Sequence, residues 1–259
     1  LDVPETHITD AKVWADTDAQ APHLDKNGKG MKSRPLAFCN DLEISEDGQR
    51  IYFTEPFSYE GASMGGGTVP EVIAYNGNGR VWRHDLTTGE TRLVAEGFHF
   101  PDGILYDLHP NQAREQSIIS SETTGFRIIR FYLAGSKAGT SELVQDGLPG
   151  MCDGMDRDPQ GRIWCAMYTK RTKSLTWLHE HAWLKPLLLR FPLNWIPQPK
   201  VTGIMALTPD ASRPLYSAWY EGQQVTHIAS AIPAPDGYIY LTPFLKTHRG
   251  LVRIKLPLN

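Results

Sequence analysis

The sequence predicts an all-β protein of the propeller class, in which short antiparallel sheets surround a central channel. Three turns rich in Asp or Asn recur along the chain, and each stands where a group of strands begins: residues 38–42, 100–104 and 151–155. A second feature, a Gly turn followed by an aromatic strand, recurs at residues 46–53, 159–165 and 235–240. Such repeats of paired short strands, tens of residues apart, are typical of propeller blades.

The first complete blade is expected to follow the turn at Asn40. Its later strands are predicted at residues 51–54, 80–83 and 91–94, and the Gly-rich insertion at residues 60–79 is interpreted as a loop over the channel mouth. Upstream, residues 12–15 are predicted to form the outer strand of a preceding blade. Residues 17–35 are rich in Asp, Lys, Gly and Pro, and we interpret them as a loop.

Three further blades are predicted downstream. The strands of the first of these are expected at residues 103–106, 117–120, 127–132 and 141–144. Those of the next are expected at residues 154–165 and 203–207, and those of the last at residues 227–229, 238–242 and 251–254. A Trp- and Leu-rich insertion at about residues 172–200 interrupts the third of the four blades. Because a ring must close to remove its sheet edges, we expect one domain over residues 1–259 from a six-bladed propeller, whose first blade and part of the second lie outside this chain.

Composition and charge exclude several classes of protein. The chain of 259 residues is 41% apolar and 21% charged, which is ordinary for a globular protein. A net charge of −3 gives no basic surface for nucleic acid. The three cysteines, Cys39, Cys152 and Cys165, lack metal-ligand spacing, and their odd number favours a reducing compartment such as the cytoplasm.

Asn40, Asp102 and Asp153 occupy equivalent blade positions and are therefore expected to meet at the channel. Carboxylate and amide oxygens without His or Cys ligands describe a site for a hard cation, and calcium accepts such ligands. For each residue alone, the alternative is a turn residue before a strand. Their repetition favours a metal site, and we predict that these three residues bind Ca²⁺ or another divalent cation.

The order of motifs resembles that of the bacterial strictosidine synthase-like proteins, which are relatives of the paraoxonases and the gluconolactonase group. The motifs that carry this resemblance are residues 40–41 with 52–55, 100–103, 121–124 leading into 127–133, 137–140 and 148–154. The resemblance implies a six-bladed propeller and, in hydrolytic members, a channel calcium held by two Asn, one Asp and a first-blade Glu. Asn40 matches the first Asn ligand of the family, and Asp153 matches its Asp ligand. Asp102 replaces the second Asn, and Gly154 replaces an Asn that often follows the Asp.

For a hydrolase, the resemblance implies that calcium polarises the carbonyl of a lactone or aryl ester while Asp153 activates water. His227 and His99 are the candidates for an additional proton carrier, and for each the alternative is a structural, hydrogen-bonded histidine. Strictosidine synthase itself uses a last-blade Glu in a condensation, and the aligned residue here is Ser230. A metal-free condensing enzyme is therefore one alternative. A non-catalytic ligand-binding propeller is the other, and the departures at Asp102 and Gly154 are its main support.

The Trp- and Leu-rich insertion is predicted to be a helical lid that supplies Trp and Leu side chains to an apolar pocket for a small molecule. His179 and His181 are two residues apart, a spacing that argues against a zinc pair on one helix face. Membrane contact through residues 175–196 is the alternative, but a membrane-binding helix would carry more Lys and Arg. The Gly-rich segment at 64–68 lacks the Gly-Lys-Ser/Thr of a phosphate loop.

Overall fold

The computed structural model describes residues 20–24, 30–36, 38–57, 68–107, 116–192, 200–244 and 251–256. Within these ranges the chain forms four consecutive antiparallel sheets of three or four strands and one two-stranded sheet. The strands of each larger sheet are neighbours in the order in which they occur in the sequence. This is a propeller arrangement, so the predicted all-β class is confirmed. The count of six blades stays a prediction.

The four blades follow the predicted pattern of strands. The first consists of β3 Leu42–Ile44, β4 Arg50–Glu55, β5 Gly79–Asp85 and β6 Thr91–Phe98. The second consists of β7 Pro101–Tyr106, β8 Ser117–Glu122, β9 Arg127–Tyr132 and β10 Ser141–Gln145. The third consists of β11 Gly150–Arg157, β12 Ile163–Lys170, β13 Val201–Leu207 and β14 Pro214–Glu221. The last consists of β15 Ile228–Pro233, β16 Tyr238–Pro243 and β17 Val252–Lys255.

Two segments differ from the sequence prediction. The region read as a loop contains the hairpin of β1 Gln20–Leu24 and β2 Gly30–Pro35. Strand β1 contacts β6, the outer strand of the first blade. This contact stabilises strands in a segment whose residues have a weak strand propensity. The strand predicted at residues 12–15 lies outside the described residues.

The hydrophobic core fills the spaces between neighbouring blades. Between the second and third blades, Ile119 and Ile128 belong to one buried cluster with Ile163 and Met205. Similar clusters lie between the first and second blades and between the third and last blades. The first strands of the blades, β3, β7, β11 and β15, contact one another in that order. These four strands therefore line the centre of the arrangement.

Within the described ranges, three α-helices lie in the connections between strands: α1 Thr68–Ala74, α2 Lys173–Glu180 and α3 Lys185–Leu188. Helices α2 and α3 occur in the insertion that was predicted to be helical. Helix α1 occupies part of the Gly-rich insertion that was interpreted as a loop, and it packs against both α2 and α3. Such tertiary contacts stabilise a helix that would be too short to persist alone.

The large apolar side chains of the Trp- and Leu-rich insertion are more exposed than predicted for a lid over an apolar pocket. Trp183 is 72% exposed and Trp177 is 50% exposed, and α2 and α3 contain no buried residue. Trp177 borders an open cleft of about 500 Å³ with Arg171 and Thr172, whereas Trp183 faces solvent. Among the described helices, none has the length and apolar character needed to span a bilayer.

Candidate functional site

Asn40, Asp102 and Asp153 meet at the centre of the blade arrangement. Asn40 lies just before β3, Asp102 lies in β7 and Asp153 in β11. The Asn40 side-chain amide donates a hydrogen bond from Nδ2 to Asp102 Oδ1. The carboxyl groups of Asp102 and Asp153 lie within hydrogen-bonding reach of each other. Three side chains separated widely in sequence thus form one connected polar group.

The glycine after each aspartate allows neighbouring first strands to come this close. A Cβ atom on Gly103 would lie 2.7 Å from the backbone nitrogen of Met155 in β11. A Cβ atom on Gly154 would lie 2.7 Å from the carbonyl oxygen of Ala229 in β15. Both distances are far below normal van der Waals contact, so each Asp-Gly pair combines a polar side chain with a close backbone approach. Gly154, which departs from the pattern of the resembling family, is therefore required by packing.

Hydroxyl groups on the second strands hold the backbone of the site. Thr54 Oγ1 donates to the carbonyl oxygen of Asp102 at 2.8 Å, and Ser121 Oγ donates to that of Asp153 at 3.2 Å. Thr123, which directly follows the second strand β8, similarly donates from Oγ1 to the carbonyl oxygen of Cys152 at 2.6 Å. These hydroxyl contacts were not predicted, although Ser121 and Thr123 belong to one of the motifs that carry the family resemblance.

Burial and mutual repulsion dominate the electrostatics of the site. Asp102 is 4% exposed, and its pKa is raised well above the usual range by burial and by Asp153. Burial and the charge of Asp41 raise the pKa of Asp153 to about 7. Neither carboxyl has a Lys or Arg partner within the described residues. The site therefore concentrates negative charge that either protons or a cation must neutralise.

Asp41 is a third carboxyl of the channel that the sequence analysis did not single out. Its Oδ2 accepts a hydrogen bond from the Ile104 N–H at 3.2 Å. Burial raises its pKa to about 6. Asp41 borders a cavity of about 220 Å³ that Glu43, Asp156 and Ser230 also line. Acidic side chains thus extend along the channel away from Asp102.

The three predicted metal ligands fit a hard cation in chemistry and charge. Two carboxyls and one amide supply only oxygen donors, and calcium uses such donors. Asn40 directs its NH₂ group at Asp102 in this arrangement, so its oxygen would serve a cation after rotation of the amide. Within the described ranges, no group of three or more His, Cys, Asp and Glu side chains is placed to hold a metal. Further oxygens from backbone or water would be needed to reach the coordination number of calcium.

His99 lies away from the carboxyl groups of Asp102 and Asp153. Its ring stacks on Tyr75, with ring centroids 3.9 Å apart, and Tyr75 stacks in turn on His179 of α2 at 4.3 Å. Burial lowers the pKa of His99, and the charged groups acting on it include Glu122 and Arg127 rather than Asp102 or Asp153. His99 therefore joins the helical insertion to the second blade.

His227 lies one residue before β15 rather than within the last inner strand. Its backbone adopts a positive φ of 54°, which is strained for a residue other than glycine. Its ring lies against Tyr168, with centroids 4.6 Å apart, and Tyr168 contacts Phe244 at 6.2 Å. Burial, together with the nearby charge of Asp153, raises the pKa of the Tyr168 phenol. No sequence pattern indicates a role for Tyr168, because this residue occurs within an ordinary aromatic strand.

Residues 10–176 match a family model described as the SMP-30/Gluconolactonase/LRE-like region. The chain is 32% identical over 166 residues to adipocyte plasma membrane-associated protein of Danio rerio, covering 62% of this chain and 38% of that protein. It is 30% identical over 180 residues to Strictosidine synthase-like 13 of Arabidopsis thaliana, covering 69% and 42%. The chain thus spans about two-fifths of the length of these curated relatives.

These matches confirm the resemblance inferred from the order of motifs. Among solved structures, a luciferin-regenerating enzyme has a TM-score of 0.50 and 8% identity, covering 83% of this chain and 60% of that chain. At this identity the likeness establishes the fold alone.

Proposed function

The chain belongs to the SMP-30/gluconolactonase/LRE-like family, and we propose that it is a calcium-dependent hydrolase acting on a lactone or ester of a small, partly apolar molecule. The observation that carries this proposal is the close pair of Asp102 and Asp153, with Asn40 as the third member. A structural pair of buried carboxyls would normally be matched by a cationic side chain. Here the compensating charge is proposed to come from the ion.

Asn40, Asp102 and Asp153 would hold the cation through their side-chain oxygens. When bound, the cation supplies a Lewis acid that polarises the carbonyl group of the substrate. The two carboxyls supply two negative charges, which match a divalent ion. The hydroxyls of Thr54 and Ser121 hold the backbone of both aspartates and so limit the movement of their carboxyls.

Asp153 is the proposed general base. Burial and the charge of Asp41 raise its pKa to about 7 in the metal-free protein. A bound cation would lower this pKa and keep the carboxyl ionised, as a general base requires. The Asp153 carboxyl would take a proton from the attacking water. His227 is the proposed second proton carrier because its ring lies against Tyr168, and the charge of Asp153 acts on the Tyr168 phenol.

The condensing-enzyme alternative has less support from the site. Ser230, at the position aligned with the Glu of strictosidine synthase, borders the cavity with Asp41 and Asp156. A serine hydroxyl does not replace a carboxylate as a base. His99, the other proton carrier predicted from the sequence, stacks instead on Tyr75, which stacks in turn on His179 of the helical insertion.

The Asp153→Asn variant tests the proposed role of this carboxyl. The change is isosteric, and it removes both the base and one charge of the metal site, so we expect turnover to fall by a factor of about 10² or more. The measurement is hydrolysis of a panel of lactones and aryl esters in excess calcium, with melting curves recorded in parallel.

Asp236→Asn is the matched control, since it makes the same change in a partly exposed turn of the last blade. This control should retain parent activity. Unchanged turnover in Asp153→Asn would place the chemistry elsewhere. A parent protein that hydrolyses no member of the panel would contradict the proposed function.

A further inference from the structure

An aromatic cluster of Tyr168, His227 and Phe244 lies beside the carboxyl site, at the corner where β11, β12 and β15 meet. The Gly154 backbone, next to Asp153, packs closely on Ala229, which is two residues after His227. Tyr168 is in β12, which pairs with the strand of Asp153. The cluster is therefore attached to the site through two neighbouring strands.

His227 has features that its packing does not explain. It is 8% exposed, yet its Nδ1 atom has no hydrogen-bond partner within the described part of the chain. A buried polar atom without a partner is costly, and a residue held in a strained backbone conformation adds to that cost. Both features are typical of positions that contact a ligand.

Phe244 adds apolar surface to the same cluster. Its side chain is 45% exposed, although its ring lies edge-on to Tyr168 with an interplanar angle of 72°. The cluster thus combines accessible aromatic surface with an unpaired ring nitrogen. A planar organic ring that carries a hydrogen-bonding atom matches both properties.

We propose that Tyr168, His227 and Phe244 form a subsite that binds a planar ring of the substrate, with His227 Nδ1 hydrogen-bonded to a polar atom attached to that ring. This inference rests on the proposed function for the identity of the substrate, since it assigns the ring to a lactone or ester. It predicts a preference for aryl-fused or aryl-substituted molecules over aliphatic ones of the same reactivity.

The test separates binding from turnover by means of two lactams that are not hydrolysed. Dihydroquinolinone contains an aromatic ring fused to the lactam, and valerolactam lacks that ring. We expect the parent to bind dihydroquinolinone about tenfold more tightly, which corresponds to one aromatic contact of about 1.4 kcal/mol. Dissociation constants for both lactams would be measured by calorimetry or ligand-observed NMR.

Substitutions at Tyr168 identify the source of this preference. Tyr168→Leu should reduce the ratio of the dissociation constant of valerolactam to that of dihydroquinolinone from about ten to a value between about one and three. Tyr168→Phe should preserve the parent ratio because the aromatic ring remains. His227→Phe should weaken dihydroquinolinone binding about three- to tenfold, as expected for one lost hydrogen bond. Tyr216→Leu, in a ring contact with Trp164 elsewhere in the same blade, is the matched control and should retain the parent ratio.

Melting curves would establish that each variant is folded. An unchanged ratio in folded Tyr168→Leu, or a parent that binds both lactams equally, would overturn the subsite. Binding of the aromatic lactam without hydrolysis of any lactone would overturn the proposed function and leave the subsite in place.

Discussion

Asp102 determines the electrostatic character of the channel site. An Asn at this position, as in the resembling family, would be neutral, whereas Asp102 places a second carboxyl against Asp153. The two groups repel each other when both are ionised, and each should strengthen the attraction for a cation. One residue thus couples metal affinity to the stability of the metal-free protein.

The Asp102→Asn variant should therefore change affinity and stability in opposite directions. We expect weaker calcium binding because a charge is lost, and a higher melting temperature of the metal-free protein because the repulsion is relieved. Calcium titration and melting curves in chelator would measure the two effects. A variant that keeps the parent affinity and gains no metal-free stability would show that Asp102 is only a turn residue.

The raised pKa of Asp153 predicts how stability depends on pH. This pKa is about 3.9 in an unfolded chain, and it is about 7 in the folded protein without metal. A raised carboxyl pKa means that the folded state binds the proton more tightly. The resulting stabilisation is complete below the unfolded pKa and is lost as pH rises through about 7.

Comparison of the parent with Asp153→Asn isolates this contribution from other titrating groups. In chelator, the melting temperature of the parent relative to that of the variant should fall as pH rises from about 4 to about 7. Excess calcium should reduce this fall, since a cation favours the ionised carboxyl. A difference that stays constant or rises across this range would contradict the assigned pKa.

The convergence of Asn40, Asp102 and Asp153 could be predicted because each follows the same local pattern at the start of a blade. The orientation of the Asn40 amide and the proximity of Tyr168 could not. Both depend on the relative positions of strands far apart in sequence. His99 illustrates the same limit, since its partner Tyr75 directly follows helix α1, which the Gly-rich sequence did not indicate.

Among the secondary-structure elements, the first strands of the blades pack closely against one another. Strands β7, β11 and β15 approach one another through Gly103 and Gly154, where a methyl group would contact backbone atoms of the next strand. Backbone atoms cannot rotate away as the end of a flexible side chain can. The spacing of the carboxyls therefore depends on these two positions.

Gly154→Ala should destabilise the protein and disturb the site. We expect a loss of about 1–3 kcal/mol in the free energy of unfolding, the usual cost of overpacking, together with weaker calcium binding. Chemical denaturation and calcium titration would measure these changes.

Gly125→Ala is the matched control, because the nearest atom to its added methyl group is Nε of the Arg127 side chain, at 3.2 Å. The control should lose less stability and keep the parent affinity for calcium. Equal losses in the two variants would contradict the role given to the strand approach at Gly154.

Strand positions could be predicted well because turn residues and short apolar strands alternate regularly. The hairpin β1–β2 and helix α1 could not be predicted in this way, since both depend on contacts with other elements. The exposure of Trp183 was also missed, because an apolar side chain in a sequence does not reveal whether a partner surface covers it.

The whole molecule is an open set of blades in the described residues. The first blade exposes Leu42 and Ile44, and the last exposes Ile232. In a closed ring such positions would face neighbouring blades. The prediction of six blades follows from closure of the sheet edges, whereas the described residues show four.

The most direct test of the central claim is the calcium content of the purified protein. Protein treated with chelator would be dialysed against calcium, separated from free ions and subjected to elemental analysis, with Asp153→Asn in parallel. We predict about one calcium per chain in the parent, far less in the variant, and a higher melting temperature of the parent in calcium than in chelator. Negligible calcium in the parent, with the same melting temperature in both conditions, would contradict the account.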